Sequence, residues 1–189
     1  MPTIIYLHGF GSTGVSPKSQ ALIEAFPDAD VIAPTLPITP AAIIHAVSEI
    51  VHTATSYPII FVGTSLGGFW ANYFAQHFDA LAVIVNPATR PAQSLAEKVN
   101  KELYNYQTGE PITVTSDDVF QYTECQALAK ANYNGALVHA FFAENDEVID
   151  YTKSIADLKF FKTCTITATG GHRYDENWGQ VIETVKSLV

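Results

Sequence analysis

The sequence predicts an α/β fold built on a mainly parallel sheet, and three features predict it. Short apolar runs alternate with amphipathic helical stretches from one end of the chain to the other. Those runs are mostly apolar, without the polar alternation of a half-exposed sheet, as strands are when helices cover both faces. A serine flanked by glycines stands where one run passes directly into a helical pattern.

Strands are expected at Thr3 to Leu7, Val31 to Ala33, Ile59 to Gly63, Leu81 to Val85, Ala136 to Phe142 and Cys164 to Ala168. Helices are expected between them. Ile43, Ile44, Val47, Ile50 and Val51 recur at helical spacing behind Thr39 as N-cap and Pro40 at the first position. Leu66, Phe69, Trp70, Tyr73 and Phe74 define a helix starting right after Ser65, and Trp178, Val181, Ile182, Val185 and Leu188 a C-terminal one. A shorter helix begins with Ser16 as N-cap and Pro17 behind it, turning Leu22 and Phe26 inward. The stretch from about 90 to 135 breaks this rhythm, being too long for a plain crossover. Its helical patterns, Ser94 to Leu103 and Asp117 to Lys130, flank a turn at Thr108-Gly109-Glu110-Pro111. Its aromatics, Tyr104, Tyr106, Phe120 and Tyr122, fit either a small cap over a site or a satellite core.

A length of 189 residues with 48% hydrophobic and 15% charged residues suits one domain, spanning 1–189, with a core large enough to fold without metals or disulfides. The formal net charge of -9 argues against nonspecific binding to nucleic acid or an anionic membrane. No apolar run approaches the roughly 20 residues that span a bilayer, so no membrane insertion is expected. No secretory leader is recognisable at Met1, and Cys125 and Cys164 have neither metal-ligand nor redox spacing. A cytoplasmic location and two small buried or half-buried thiols are the expectation.

Gly63-Thr64-Ser65-Leu66-Gly67 fits G-x-S-x-G in the strand-to-helix setting that this pattern requires. There the serine occupies a strained turn, and the glycines remove side chains that would collide. A serine hydroxyl needs a base to take its proton. His172, after the last strand in Thr169-Gly170-Gly171-His172, should reach the same sheet edge as Ser65. His45, His52 and His77 fall in helices and His139 within a strand; His8 is expected to be structural. The acid should follow the next-to-last strand, where Asp146 is the choice, with Glu147 and Asp150 as fallbacks. The order Ser65, Asp146, His172 is that of α/β hydrolases. Backbone N–H groups of Phe10 and Leu66 fit the places of an oxyanion hole.

Gly9-Phe10-Gly11-Ser12-Thr13-Gly14 also matches the dinucleotide fingerprint G-x-G-x-x-G. Two features weigh against it. Ile32-Ala33-Pro34-Thr35 supplies no acidic residue for a ribose, and Ser16-Pro17 starts the helix beyond the third glycine. No phosphate loop or metal-ligand cluster is present, so neither cofactor nor metal is expected.

The chain resembles the small bacterial α/β-hydrolase esterases of the YqiA/YcfP kind. Leu7-His8-Gly9-Phe10, Gly63 to Gly68, Asn86-Pro87-Ala88-Thr89-Arg90-Pro91, Asn145 to Tyr151 and Gly170-Gly171-His172 carry the likeness. It implies Ser65, Asp146 and His172 as triad and esterase activity on acyl esters, with acyl thioesters as the alternative. Where a small residue and Phe usually follow the histidine, this chain has Arg173 and Tyr174. Arg90 and Arg173, the only arginines, both follow strand ends on the site's side. At least one of them is a candidate contact for an anionic part of the substrate, and Tyr104 and Tyr122 are further candidate substrate contacts; the alternative for Arg90 is a tie to a carbonyl or carboxylate.

The expectation is therefore a compact α/β-hydrolase fold of about six mainly parallel strands, with helices on both faces and a small cap insertion. It should cleave a small-molecule acyl ester or thioester. A catalytically silent binding module on the same fold is the rival of another class.

Overall fold

The protein is described by a computed structural model of residues 1–189. Strands β1 (Thr3–Leu7), β2 (Asp30–Ile32), β3 (Ile59–Thr64), β4 (Leu81–Val85), β7 (Val138–Ala143) and β8 (Thr163–Thr167) form one six-stranded sheet. Its order is β2-β1-β3-β4-β7-β8, and every neighbouring pair is parallel. The connections are helices α1 (Pro17–Ala25), α2 (Pro40–Thr53), α3 (Leu66–Phe78), α4 (Pro91–Ala96), α5 (Ser116–Ala131) and α6 (Tyr151–Leu158); α7 (Trp178–Lys186) ends the fold. The short antiparallel pair β5 (Leu103–Tyr104) and β6 (Pro111–Ile112) forms a separate hairpin.

Alternate residues of each strand point to opposite faces, so two cores form. Ile5, Leu7, Phe61 and Ile84 pack with side chains of α2, α3 and α5, among them Val47, Trp70, Phe74 and Tyr122. Ile4, Tyr6, Val62 and Phe141 pack with Leu22 of α1, with Phe26 at its end, and with Trp178, Val181 and Val185 of α7. Burial on both faces is what made the strands read as continuous apolar runs. The two edge strands are the exceptions: β2 has Asp30 exposed and no fully buried residue, and β8 has Thr163, Cys164 and Ile166 exposed. Cys164 is thus exposed rather than buried; Cys125 is buried, and both thiols are free.

Ser16 caps α1 as expected, its Oγ accepting from the Ser19 amide at 3.2 Å. Thr39 precedes Pro40 at the start of α2 without a side-chain cap. The helical reading of Ser94 to Leu103 is corrected: α4 ends at Ala96, and Asn100 turns the chain with φ 61° before Leu103 enters a strand. Helix α6 was not anticipated; Asp150 caps it, accepting from the Thr152 amide at 3.0 Å. No helix is long and apolar enough to cross a membrane.

Strand order reverses direction of growth between β1 and β3, and the loops leaving their carboxyl ends open a crevice there. The candidate residues gather in it.

Candidate active site

Ser65 occupies the turn from β3 into α3 with φ 54° and ψ -121°. This is a left-handed setting that costs a non-glycine residue of order 1–3 kcal/mol. The turn is possible because its flanks carry no side chains. A Cβ on Gly63 would lie 2.1 Å from the Gly67 carbonyl oxygen, and one on Gly67 would lie 1.9 Å from that of Leu7. The Ser65 amide donates to the Val85 carbonyl at 3.0 Å, anchoring the elbow to β4.

His172 follows β8 and reaches back so that Nε2 lies 3.0 Å from Ser65 Oγ. Its Nδ1 lies 3.0 and 2.9 Å from the two carboxylate oxygens of Asp146, which follows β7. A carboxylate can only accept, so Nδ1 carries the proton and Nε2 is left to accept from the serine hydroxyl. The Asp146 side chain is 1% exposed and that of His172 18%. Burial of the carboxylate is offset by two further donors, the amides of Val148 and Ile149, each 2.8 Å from Oδ1. The structure thus brings together the three residues singled out from the sequence.

The fallback acids serve elsewhere. Glu147 accepts the His172 backbone N–H at 3.0 Å, a bond that holds its carboxyl below the usual carboxylate range. Asp150 caps α6. His8 is buried, with Nδ1 2.8 Å from the Gly9 carbonyl and Nε2 accepting from the Leu36 amide at 2.8 Å. Both nitrogens are engaged in a neutral ring, and burial lowers its pKa.

Two residues missed in the sequence position the histidine. Asn86, buried and at φ 43° just after β4, donates from Nδ2 to the carbonyls of Gly171 at 2.9 Å and His172 at 3.2 Å. Its Oδ1 accepts the Ala143 amide at 2.9 Å. Asn145 Oδ1 accepts the Gly171 amide at 2.8 Å. The place of Asn86 at a strand's carboxyl end was the available signal.

A cavity of about 810 Å³ opens over Ser65 and His172. Phe10 and Leu66 border it, and the Phe10 amide donates to no protein acceptor. Leu66 begins α3, where backbone N–H groups lack intrahelical partners. Helix α4 contributes Gln93, Ser94 and Leu95, and the hairpin loop contributes Tyr106 and Gln107. Gln107 Oε1 ties that loop to the one after β1, accepting from Ser12 Oγ at 2.9 Å and the Thr13 amide at 2.7 Å.

Four expected substrate contacts have different fates. Tyr122 is fully buried, its hydroxyl donating to the Ile38 carbonyl at 3.2 Å and accepting from Trp70 Nε1 at 3.4 Å, so it is a core residue. Tyr104 is 60% exposed and does not border the cavity; Tyr106, two residues on, does. Arg90 borders the cavity, but Asp157 accepts from both Nε at 2.7 Å and Nη2 at 2.6 Å. Arg173 also borders it, with Nε donating to Asp175 at 2.8 Å. No group of three or more His, Cys, Asp or Glu side chains is arranged to hold a metal ion.

The fold is that of the α/β hydrolases. It superposes on Est1E from Butyrivibrio proteoclasticus, solved with ferulic acid bound, with a TM-score of 0.73 at 18% identity over 100% of this chain and 88% of that one. The mouse alpha/beta hydrolase domain-containing protein 10 gives 0.74 at 16% identity over 100% and 89%. A monoacylglycerol lipase from Paleococcus ferrophilus gives 0.68 at 16% identity over 99% and 95%. The chain belongs to the uncharacterised protein family UPF0227, whose family model matches residues 3–188. A UPF0227 protein of Pectobacterium carotovorum subsp. carotovorum (strain PC1) is 33% identical over 104 residues, covering 52% of this chain and 57% of that protein. One of Pectobacterium atrosepticum is 30% identical over 103 residues with the same coverage. The match thus spans little more than half the length of these curated relatives.

Proposed function

We propose that the protein is a serine hydrolase that cleaves carboxylic acyl esters through an acyl-enzyme on Ser65. The observation that carries this reading is the unbroken relay from Ser65 Oγ through His172 to buried Asp146, lying at the floor of an open cavity. In the first half-reaction His172 Nε2 takes the hydroxyl proton as Oγ attacks the ester carbonyl. The amides of Phe10 and Leu66 stabilise the oxyanion, and the imidazolium, held by Asp146, returns the proton to the departing alkoxide. Water, deprotonated by the same nitrogen, then releases the acid and restores Ser65. Thioesters would follow the same path, with a thiolate leaving. The name of one structural neighbour, a monoacylglycerol lipase, agrees with this chemistry.

A fluorophosphonate probe tests the reading without a guess at substrate. Labelling of the wild type that disappears in Ser65→Ala and His172→Ala is expected. A folded wild type that resists labelling would instead mark a silent binding module.

A further inference from the structure

The chain carries 10 basic and 19 acidic residues, a net charge of -9. Five of the 10 basic side chains, Lys18, Arg90, Lys98, Lys153 and Arg173, border the cavity over Ser65. An even spread along the chain would put only about one or two there. Just 8 of the 28 bordering residues are hydrophobic, so the cavity is not shaped for a bare hydrocarbon chain.

Four of these cations are spoken for. Arg90 is clamped by Asp157, Lys153 lies 3.5 Å from Asp150, and Lys18 and Arg173 share Asp175. Lys98 forms no ion pair; its Nζ stands 5.3 Å from the centroid of the Phe10 ring. The ring face holds an ammonium by its quadrupole without neutralising it. Phe10 is next to Gly9, whose Cβ position is 3.4 Å from Ser65 Cβ. The Lys98 charge therefore stands one side chain away from the nucleophile's own neighbours, in the same open cavity, which Glu97 also borders. Around it the protein's net charge is strongly negative, so an anion gains attraction at this place and meets repulsion elsewhere.

We infer that the ester taken by this site carries a carboxylate or phosphate, and that Lys98 is the cation that selects it. The inference rests on the ester-hydrolase reading. The anion can sit on the acyl or on the alcohol portion, and two matched pairs of substrates distinguish these. Methyl hydrogen glutarate against methyl pentanoate places it on the acyl side; O-butyrylglycolate against propyl butyrate places it on the alcohol side.

Specificity is read as the ratio of kcat/KM, anionic over neutral, at low ionic strength. At least one pair is expected to favour the anionic member by about tenfold or more. That ratio should fall about tenfold in Lys98→Met, recover in Lys98→Arg, and shrink at about 0.5 M salt. Equal or better turnover of the neutral ester in both pairs overturns the inference, as does a preference that survives Lys98→Met in a variant of unchanged melting temperature. Fluorophosphonate labelling without turnover of either anionic ester overturns it too. If no ester is turned over and no labelling occurs, the hydrolase reading itself has failed.

Discussion

Asn86 grips the backbone of His172 from the end of a different strand. Its side-chain amide donates to the carbonyls of Gly171 and His172, while its carbonyl oxygen takes the amide of Ala143, three residues before Asp146. One buried side chain thereby ties the loop that bears His172 to the strand end that leads to Asp146. Asn86→Gly keeps the positive φ but removes all three bonds. It is expected to lower stability by about 1–3 kcal/mol through the unpaired Ala143 amide. Labelling by a fluorophosphonate should slow by about tenfold or more as the imidazole loses its register, with ester KM changing little.

Asp146→Asn preserves shape but can place an amide N–H against Nδ1, favouring the wrong imidazole tautomer. A fall of about 10⁴-fold in kcat is expected, the size seen when a triad carboxylate is neutralised elsewhere. Glu147→Gln should cost far less, since its contact is with the His172 backbone rather than the ring. Rates on a chromogenic ester decide between the two acids.

Ser65→Gly should abolish labelling and raise the melting temperature. The glycine relieves a left-handed backbone strain of about 1–3 kcal/mol, against the extra conformational entropy it loses on folding, about 1 kcal/mol. A chemical denaturation series that finds Ser65→Gly less stable than Ser65→Ala would contradict the strained elbow.

His8 gives a pH dependence of definite sign. Burial lowers its pKa below the ordinary 6.5, so the folded state binds fewer protons than the unfolded one as pH falls below that value. The stability held by the neutral ring is complete above pH 6.5 and lost progressively below it. His8→Gln, which can still accept from Leu36, should be less stable at neutral pH but show a shallower decline between about pH 6.5 and 5. Urea midpoints across that range provide the comparison.

Tyr122→Phe should cost about 1–2 kcal/mol, because Trp70 Nε1 and the Ile38 carbonyl lose their shared partner in the core. Substrate preference should not change, and a shifted acyl-chain profile would return Tyr122 to the site.

The sheet was legible because both of its faces are covered, which leaves strands such as Ile59–Thr64 apolar up to the closing threonine. Ser65, Asp146 and His172 were legible because each follows a strand whose end could be read. Between 90 and 135 the signal failed for physical reasons. Strands of two residues, Leu103–Tyr104 and Pro111–Ile112, are too short to show a period. The Ala-Glu-Lys run after Leu95 has helix-forming composition, yet the chain leaves the helix at Ala96 and turns at Asn100. Nor can an aromatic reveal its depth: Tyr122 lies in the core because its helix packs on α2 and α3, which is a tertiary fact. Asn86 was visible only as part of a motif, since its task depends on two loops distant in sequence.

The contact of Gly67 with the Leu7 carbonyl reaches beyond the elbow. With no room for even one methyl group between α3 and the end of β1, the turn that bears Ser65 sits directly against the start of the loop that bears Phe10. If the proposed ester hydrolysis holds, accommodation of different substrates falls to the opposite wall, where side chains of α4 and the hairpin loop border the cavity. Substitutions in residues 91–112 would then retune what is accepted while Ser65, Asp146 and His172 keep their places.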